Sequence, residues 1–328
     1  MDVSVIVPTY NRREMVCKTI CSLIEQTYPM ARFETIVTDD GSTDGTREAI
    51  AALNVPFRIR YLWQPNRGRC AARNVGVRNA SGEIVLFLDS DSLATSNLLE
   101  EHVKAYNEHD GIFVRGERRV LSSLVGFSSP FVEFYLAPME PFPRNLIGEG
   151  GFISPTHAHT ANLSALHSDL TQVGLFDDSF DQGRSWDDTD LGYRLARMGR
   201  RLLYCSTAVV YDIGVVADAR AYCERAWQSG YDVHRLFHKF SDLQEMLPLF
   251  LDKMPVNWRK DAPRRIAKKI ARRVASCDPS LSLLLWATGL LERHWPEPLL
   301  LRPLYRWVIG GYIYRGYQDG LRERAVEG

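Results

Sequence analysis

The sequence lacks several features that would place it in familiar functional classes. It has six cysteines in 328 residues, and none forms a Cys-x-x-Cys pair, so a zinc ribbon or a thioredoxin-like site is not expected. No Gly-x-Gly-x-x-Gly follows the first apolar run and no Gly-x4-Gly-Lys-Ser/Thr occurs, which argues against ordinary dinucleotide and P-loop binding. Internal repeats and low-complexity segments are also absent.

Long apolar runs and leader-like segments are scarce too. The longest apolar stretch, at about 281–291, is shorter than the roughly 20 residues that a membrane-spanning helix needs. No basic segment precedes the first apolar run, so we expect no signal peptide. These features predict a cytosolic, reduced protein, and they leave open a peripheral attachment at the inner face of a membrane.

Neither sign of charge is in excess over the whole chain. The 40 Lys and Arg residues balance 40 Asp and Glu, so composition indicates no nucleic-acid partner. The balance hides a division, because residues 1–215 carry a net charge of −6 and residues 216–328 carry +6. We therefore predict an acidic domain over 1–215 and a basic, mainly helical region over 216–328.

Short apolar runs alternate with helical patterns near the N-terminus. The predicted strands are 3–7, 34–38, 58–63 and 84–88, and the predicted helices are 11–26, 46–53 and 71–79. Asn11 is a candidate N-cap of the first helix. This alternation is typical of a parallel sheet with helices on both faces, which binds ligands at the carboxyl ends of its strands.

Two acidic turns follow predicted strands. Asp89 and Asp91 are two residues apart after an apolar strand, so their carboxylates can share one hard cation such as magnesium or manganese, or divide between a cation and a ribose. Asp39 and Asp40 can stabilise a turn before a helix, which the motif alone favours, or one of them can accept a hydrogen bond from a nucleobase.

A third acidic cluster, residues 186–190, precedes another helical pattern. Acidic residues in a first helical turn complement the helix dipole, which is a sufficient structural explanation. The crowding of Asp187, Asp188 and Asp190 also raises a carboxyl pKa, as a catalytic base requires. Both interpretations stay open at this point.

The order and spacing of these clusters resemble a family 2 glycosyltransferase of the GT-A fold. The blocks that carry the resemblance are Pro8-Thr9-Tyr10-Asn11, Thr38-Asp39-Asp40-Gly41-Ser42, Asn66-Arg67-Gly68, Ala72-Arg73-Asn74, Leu88-Asp89-Ser90-Asp91, Ala161-Asn162, Gly174-Leu175-Phe176-Asp177 and Asp187-Asp188-Thr189-Asp190-Leu191. The resemblance implies an α/β fold, with a Rossmann-like, mostly parallel sheet flanked by helices and a C-terminal helical extension. It also implies a nucleotide-sugar half at about 1–110 and an acceptor half at about 111–215.

The implied activity is the inverting transfer of a sugar from a nucleotide diphosphate to an acceptor hydroxyl, as in polysaccharide biosynthesis, and UDP is the nucleotide that we expect. The residues that the resemblance places on the nucleotide sugar are Pro8, Thr9, Tyr10, Asn11, Asp40, Arg73, Asp89 and Ser90. Among these, Asp40 would accept from the base and Asp89 would face the ribose. Asp91, with Asp89, would hold a divalent metal, manganese or magnesium.

The acceptor side is implied in the same way. Asp188 would be the catalytic base that deprotonates the acceptor hydroxyl, with Asp187, Trp186 and Asn162 on the acceptor side or in support. The chain departs from many members after residue 210, where Tyr211-Asp212 stands in place of a metal-site histidine. Either Asp212 substitutes for it or that contact is absent. His157 and His159 fit satisfied polar residues better than acceptor-side residues.

Residues 263–275 predict a basic amphipathic helix. Its apolar face would hold Ile266, Ala267, Ile270, Ala271 and Val274, and its basic face Arg264, Arg265, Lys268, Lys269, Arg272 and Arg273. Such a helix lies on an anionic membrane surface, through 264–275, or packs on its own domain with a solvated basic face, which is slightly favoured. A lipid-linked or cell-envelope glycan acceptor fits this basic region, and a soluble peptide or small-molecule acceptor is the alternative.

Two other classes remain as rivals. A sugar-nucleotide pyrophosphorylase has a similar α/β fold, but it should carry a Gly-rich loop where this chain has Pro8-Thr9-Tyr10-Asn11. A non-catalytic nucleotide-sugar-binding scaffold is the other rival. The intact carboxylates of Asp91 and Asp188 argue against the scaffold.

Overall fold

The computed structural model describes residues 2–120, 129–136, 142–182, 185–214, 218–254 and 256–327. The chain divides into two compact units. The first contains residues 2–120, 142–182 and 187–214, and the second contains 129–136, 185–186 and the described residues from 218 onward. The expected domain boundary between residues 215 and 216 lies outside the described residues.

The strands of the described residues form one nine-stranded mixed sheet in the first unit. They are β1 (Val3–Thr9), β2 (Phe33–Asp39), β3 (Arg58–Trp63), β4 (Ile84–Leu88), β5 (Ser92–Ala94), β6 (Ile112–Val120), β7 (Phe152–Ile153), β8 (Asn162–Leu166) and β9 (Arg201–Asp212). The spatial order is β3-β2-β1-β4-β8-β6-β9-β5, and β7 also pairs with β9.

The pairings among β1 to β4 are parallel, and β6 and β9 form another parallel pair. β8 runs antiparallel between β4 and β6, and β5 and β7 pair antiparallel with β9. The four strands expected from the sequence are β1 to β4. The predicted α/β fold class is thereby confirmed.

Helices flank this sheet and form the C-terminal region. They are α1 (Arg13–Ser22), α2 (Thr46–Ala51), α3 (Arg69–Asn79), α4 (Leu98–Glu108), α5 (Pro130–Leu136), α6 (His167–Gln172), α7 (Asp187–Arg197), α8 (Ala219–Lys239), α9 (Leu243–Met246), α10 (Pro248–Leu251), α11 (Pro263–Ala275), α12 (Asp278–His294) and α13 (Pro298–Glu327). The predicted helices correspond to α1, α2, α3 and α11. The expected N-cap is wrong, because α1 is preceded by Arg12 and Asn11 lies outside the helix.

The core of the first unit follows from the alternation of side chains along β1. Val3, Val5 and Val7 are fully buried on one face of the sheet, in a cluster with Ile20 of α1 and Leu98 of α4. β2 and β4 are buried along their whole length. Strands buried on both faces need apolar runs rather than an alternating pattern, which is why the sequence marks them clearly. Their carboxyl ends meet at one edge of the sheet.

The second unit is helical. α8 packs along α13, and Phe131 of α5 meets Tyr305 of α13 with ring centroids 5.3 Å apart. Among the described residues, no single helix is both long and apolar enough to cross a bilayer. The helices 263–275 and 279–294, which meet at a bend of 89°, satisfy that condition only when they are counted together.

The orientation of α11 differs from the expected one. Lys269 and Arg272 of its basic face are buried, whereas Ile270 and Val274 of its apolar face are exposed. The expectation of a fully solvated basic face is therefore wrong. The reason is that acidic residues of the same unit, Asp252 and Asp261, lie beneath the helix and pair with its cations.

Candidate active site

The three polar clusters that follow β1, β2 and β4 lie at the carboxyl edge of the sheet. β1 stands between β2 and β4 in parallel register, with Thr9 opposite Asp39 and Ile6 opposite Phe87. Because all three strands end at this edge, the turns that follow them are neighbours. The predicted donor-side residues are therefore brought to one region of the first unit.

The turn after β2 is organised by its two aspartates. The backbone N–H of Ser42 donates to Asp39 at 2.8 Å, so Asp39 stabilises the turn. Asp40 is buried and accepts from Gln64 Nε2 at 2.5 Å and from the backbone N–H groups of Arg67 and Gly68 at 2.9 Å each. Its Oδ2 atom accepts one of these three bonds, so it can accept another.

The turn after β1 joins the two neighbouring loops. Asn11 has a left-handed backbone with φ of 49°, its N–H donates to Ser42 Oγ, and its side chain accepts from the N–H of Thr43, both at 2.8 Å. Asn11 thus holds the turns after β1 and β2 together. Pro8 and Thr9 lie at the end of β1, Thr9 being buried, while Tyr10 is 45% exposed and presents an open aromatic ring.

A pocket of about 400 Å³ lies beside this turn, between the start of α2 and the aromatic residues Tyr61 and Trp63 of β3. It contains none of the predicted site residues.

Asp89 and Asp91 stand in different electrostatic surroundings. Burial opposes ionisation of Asp89, but the Arg73 guanidinium, 3.2 Å away, and the other positive groups around it together outweigh burial and lower the pKa of that carboxyl. Burial and the charge of Asp89 raise the pKa of Asp91, although Arg12 forms an ion pair with it. Ser90, between them, is buried. The turn therefore holds two close carboxylates that a cation would stabilise.

Asp212 lies next to this turn. The backbone N–H of Ile213 donates to the carbonyl of Asp91 at 2.9 Å, and Asp212 pairs with Arg118. In the part of the chain that the structure describes, no three His, Cys, Asp or Glu side chains gather into a metal-binding cluster. Two carboxylates nonetheless fit a magnesium or manganese ion that completes its shell with phosphate oxygens and water, as such ions commonly do.

A buried ion-pair network connects this turn to α7. Arg73 donates from Nη1 to Asp187 at 2.8 Å and from Nη2 to Asp89, so it bridges the two carboxylates. Arg69, one turn earlier on the same face of α3, also pairs with Asp187. These arginines outweigh the effect of burial and hold the pKa of Asp187 below its usual range.

The pKa of Asp188 is shifted in the opposite direction from that of Asp187. Burial and the adjacent charge of Asp187 raise the pKa of Asp188 to about 6. The carboxyl is oriented by Thr160, whose Oγ1 donates at 2.8 Å and whose N–H donates at 3.2 Å. The pKa values of these two adjacent aspartates are thus shifted in opposite directions.

The remaining predicted residues make structural contacts. Asn162 is buried and donates to the carbonyls of Ala208 and Glu117 at 2.9 and 3.1 Å, while its Oδ1 contacts His102. All of these partners lie within the sheet and the helix packed on it, so Asn162 supports the fold. The indole of Trp186 donates to the carbonyl of Ser229 at 2.8 Å within the second unit.

Four side chains that contact the predicted carboxylates were missed from the sequence. They are Gln64 at Asp40, Arg12 at Asp91, Arg69 at Asp187 and Thr160 at Asp188. A signal existed for Arg69, because residues four apart on a helix share a face and Arg73 was already assigned. His159 is neutral, since burial and the nearby arginines Arg118 and Arg115 lower its pKa to about 3.

Residues 4–148 match the family model for glycosyl transferase family 2. Validoxylamine A glucosyltransferase of Streptomyces hygroscopicus subsp. jinggangensis is 31% identical over 224 residues, which are 60% of this chain and 51% of that protein. An uncharacterized glycosyltransferase of Rickettsia felis is 41% identical over 111 residues, 34% of this chain and 18% of that protein. The chain thus spans between about a fifth and a half of the length of these relatives.

Solved structures show the same fold. The mannosyltransferase PcManGT from Pyrobaculum calidifontis, in complex with GDP-Man and Mn2+, superposes with a TM-score of 0.64 at 21% identity, covering 98% of this chain and 87% of that one. TarS 1–349 of S. aureus in complex with UDP-GlcNAc has a TM-score of 0.54 at 17% identity, covering 98% and 92%. The fold is that of GT-A glycosyltransferases, and residues 4–148 are similar to glycosyl transferase family 2, as the motifs of the sequence predicted.

Proposed function

We propose that the chain moves a sugar from a nucleotide diphosphate to an acceptor hydroxyl in one displacement that inverts the anomeric carbon. The observation that carries the proposal is the environment of Asp188. This carboxyl has a pKa raised to about 6, and it stands beside an ion-pair network that reaches the Asp-x-Asp turn through Arg73. A base of this kind is ionised near neutral pH and still takes up a proton readily.

Asp188 is the proposed catalytic base. Thr160 donates to both of its carboxylate oxygens and so holds the carboxylate in one orientation, while free lone pairs remain to accept the acceptor hydroxyl proton. General base catalysis by a positioned carboxylate contributes about 10²–10⁴-fold. Asp187 is held ionised by Arg69 and Arg73, so it does not take the proton, and its negative charge helps to raise the pKa of Asp188.

The donor site is proposed at the edge of the sheet formed by the turns after β1, β2 and β4. Asp89 and Asp91 would hold manganese or magnesium there, and such an ion, when bound, neutralises the charge that develops on the diphosphate leaving group. Arg12 occupies Asp91 in this structure, so it competes with a cation for that carboxylate. PcManGT with GDP-Man and Mn2+, and TarS with UDP-GlcNAc, support a nucleotide-sugar donor, with UDP the first to test.

The acceptor is proposed to be a lipid-linked or cell-envelope glycan, in line with the basic C-terminal region. The alternative is a small soluble acceptor. It is favoured by one observation, the similarity of 60% of this chain to an enzyme named for glucosylating validoxylamine A.

A donor screen tests the proposal. UDP-, GDP- and dTDP-sugars are incubated with the full chain and manganese, and release of the nucleoside diphosphate is measured with and without acceptors. We expect turnover of one nucleotide class, loss of turnover in chelator, and a product of inverted anomeric configuration by NMR. Tight nucleotide binding without turnover would instead identify a non-catalytic binding protein. Nucleotide-sugar synthesis from a nucleoside triphosphate would identify a pyrophosphorylase.

A further inference from the structure

The second unit exposes rows of apolar side chains on its helices. On α11, Ala267, Ile270, Ala271 and Val274 are spaced as one helical face, and all four are exposed, Val274 at 71%. A helix of a globular domain normally turns such a face to the core. Here the apolar row points to the outside of its own unit.

The inward side of α11 shows why the helix is oriented in this way. Lys269 Nζ lies 2.6 Å from Asp261 and Arg272 Nη1 lies 3.4 Å from Asp252, and both cations are buried. Arg272 also donates to the carbonyl of Gly310 in α13 at 3.4 Å. Rotating the helix to bury its apolar row would leave these charges unpaired, at a high cost in free energy. The exposed row is therefore a fixed feature of the packing.

α12 and the start of α13 repeat the pattern. On α12, Leu281 is buried against Gly311, where a side chain on the glycine would clash with it. The exposed face of α12 contains Leu283, Trp286 and Leu290, with Trp286 exposed at 63%. On α13 the exposed apolar residues are Leu299, Leu300 and Trp307, with Leu299 exposed at 86%. We call these two sets, together with the exposed apolar residues of α11, the apolar rows.

The exposed charges beside the apolar rows are mostly positive. Exposed cations on these helices are Arg264, Arg265, Lys268, Arg273, Arg293, Arg302 and Arg306, and an exposed acid between α12 and α13 is Glu297. Trp258 and Trp295 are exposed in the adjoining segments. Apolar residues bordered by arginine and tryptophan match the boundary between acyl chains and headgroups of an anionic bilayer.

We propose that the apolar rows bind the surface of an anionic lipid bilayer, with their side chains among the acyl chains and the bordering arginines at the lipid phosphates. The occupant is a membrane rather than a second copy of this chain, because pairing the apolar rows of two copies would bring the positive charges beside them together. The proposal concerns the second unit alone and does not depend on the proposed sugar transfer. It makes the protein peripheral to a membrane.

Vesicle flotation of the full chain tests this proposal. The vesicles contain equal parts of phosphatidylcholine and phosphatidylglycerol, with pure phosphatidylcholine as the comparison. We expect flotation with the anionic vesicles, weaker with the neutral ones and weaker at high salt. Moving one apolar side chain from water into hydrocarbon is worth about tenfold in partitioning, so the double variant Trp286→Ser, Leu290→Ser should lose on the order of 100-fold. Met246→Ser, an exposed residue of the same unit outside the apolar rows, should bind as the wild type.

Two results would overturn the proposal. One is equal flotation of the double variant and the wild type. The other is a wild type that fails to float, and if it also sediments as a dimer that the double variant breaks, the apolar rows belong to an interface with a second copy. If the double variant unfolds, quenching of tryptophan fluorescence by brominated lipids tests whether Trp286 enters the bilayer. Trp286→Phe should lose part of the quenching seen in the wild type, and equal quenching would contradict the proposal.

Discussion

Replacing Asp188 by asparagine is expected to stabilise the folded protein even though it removes the proposed base. Burial and the charge of Asp187 raise the pKa of Asp188 from 3.8 to about 6. At about 1.4 kcal/mol per pKa unit, the ionised carboxylate costs up to about 3 kcal/mol of stability. Because solvent reaches part of this side chain, screening reduces the cost, and we take about half of it.

The hydrogen bonds of Asp188 survive this substitution. The amide oxygen of asparagine can accept from the N–H of Thr160, and its NH₂ group can donate to the hydroxyl, which now donates to the carboxylate at 2.8 Å. The expected gain at about pH 7 is therefore on the order of 1 kcal/mol, or about 2–4 °C in Tm.

The stability difference between Asp188→Asn and wild type should depend on pH in one direction. The folded pKa lies above the unfolded one, so the cost is absent below about pH 4, where both states are protonated, and it is complete above about pH 6. Unfolding of Asp188→Asn and wild type is followed by calorimetry across this range, with Asp110→Asn, an exposed carboxylate, as the control. The difference between variant and wild type should grow as the pH rises from about 4 to about 6. A variant less stable than wild type near neutrality, or a difference that does not depend on pH, would show that ionised Asp188 does not destabilise the fold.

Three further outcomes are expected. The kcat/KM for transfer should fall as the pH drops through about 6, because Asp188 becomes protonated, and a profile that is flat between about pH 5 and 8 would contradict this. Arg12→Ala should bind manganese more tightly in calorimetric titrations with UDP, because the ion pair at Asp91 no longer competes, and weaker binding would show that Arg12 assists the site. Asp40→Ala should lower the free energy of unfolding by about 1–3 kcal/mol, because the buried N–H groups of Arg67 and Gly68 lose their acceptor, and chemical denaturation measures this loss. The same variant should raise the KM for the donor, which a donor titration measures.

The fold was predictable where a local pattern carries the information. β1 to β4 were expected within two residues of their observed bounds, because strands buried on both faces require apolar runs. The turn at Asn11 was not predictable, since its left-handed backbone is stabilised by bonds to Ser42 and Thr43, about thirty residues away. The local sequence pattern alone predicts a helix N-cap at Asn11, which the structure does not show.

The site was predictable in part for the same reason. Strand ends brought the clusters around Asp40 and Asp89 to one edge, but the partner of Arg73 on α7 is more than a hundred residues distant, and nothing local identifies it. For α11, the periodicity separated apolar from basic residues correctly. The basic face turns inward because Lys269 and Arg272 pair with Asp261 and Asp252, which lie outside the helix. A helical pattern gives no information about such ion pairs between different parts of the chain.

In the proposed reaction Asp188 takes the acceptor proton at a site where Asp89, Asp91 and Arg73 bind the donor. The decisive measurement is the single-turnover rate of sugar transfer by Asp188→Asn beside that of Asp110→Asn, with UDP binding measured on both. We expect a loss of about 10²–10⁴-fold in Asp188→Asn with nucleotide binding unchanged, and a wild-type rate in the control. Transfer by Asp188→Asn at the wild-type rate would contradict it.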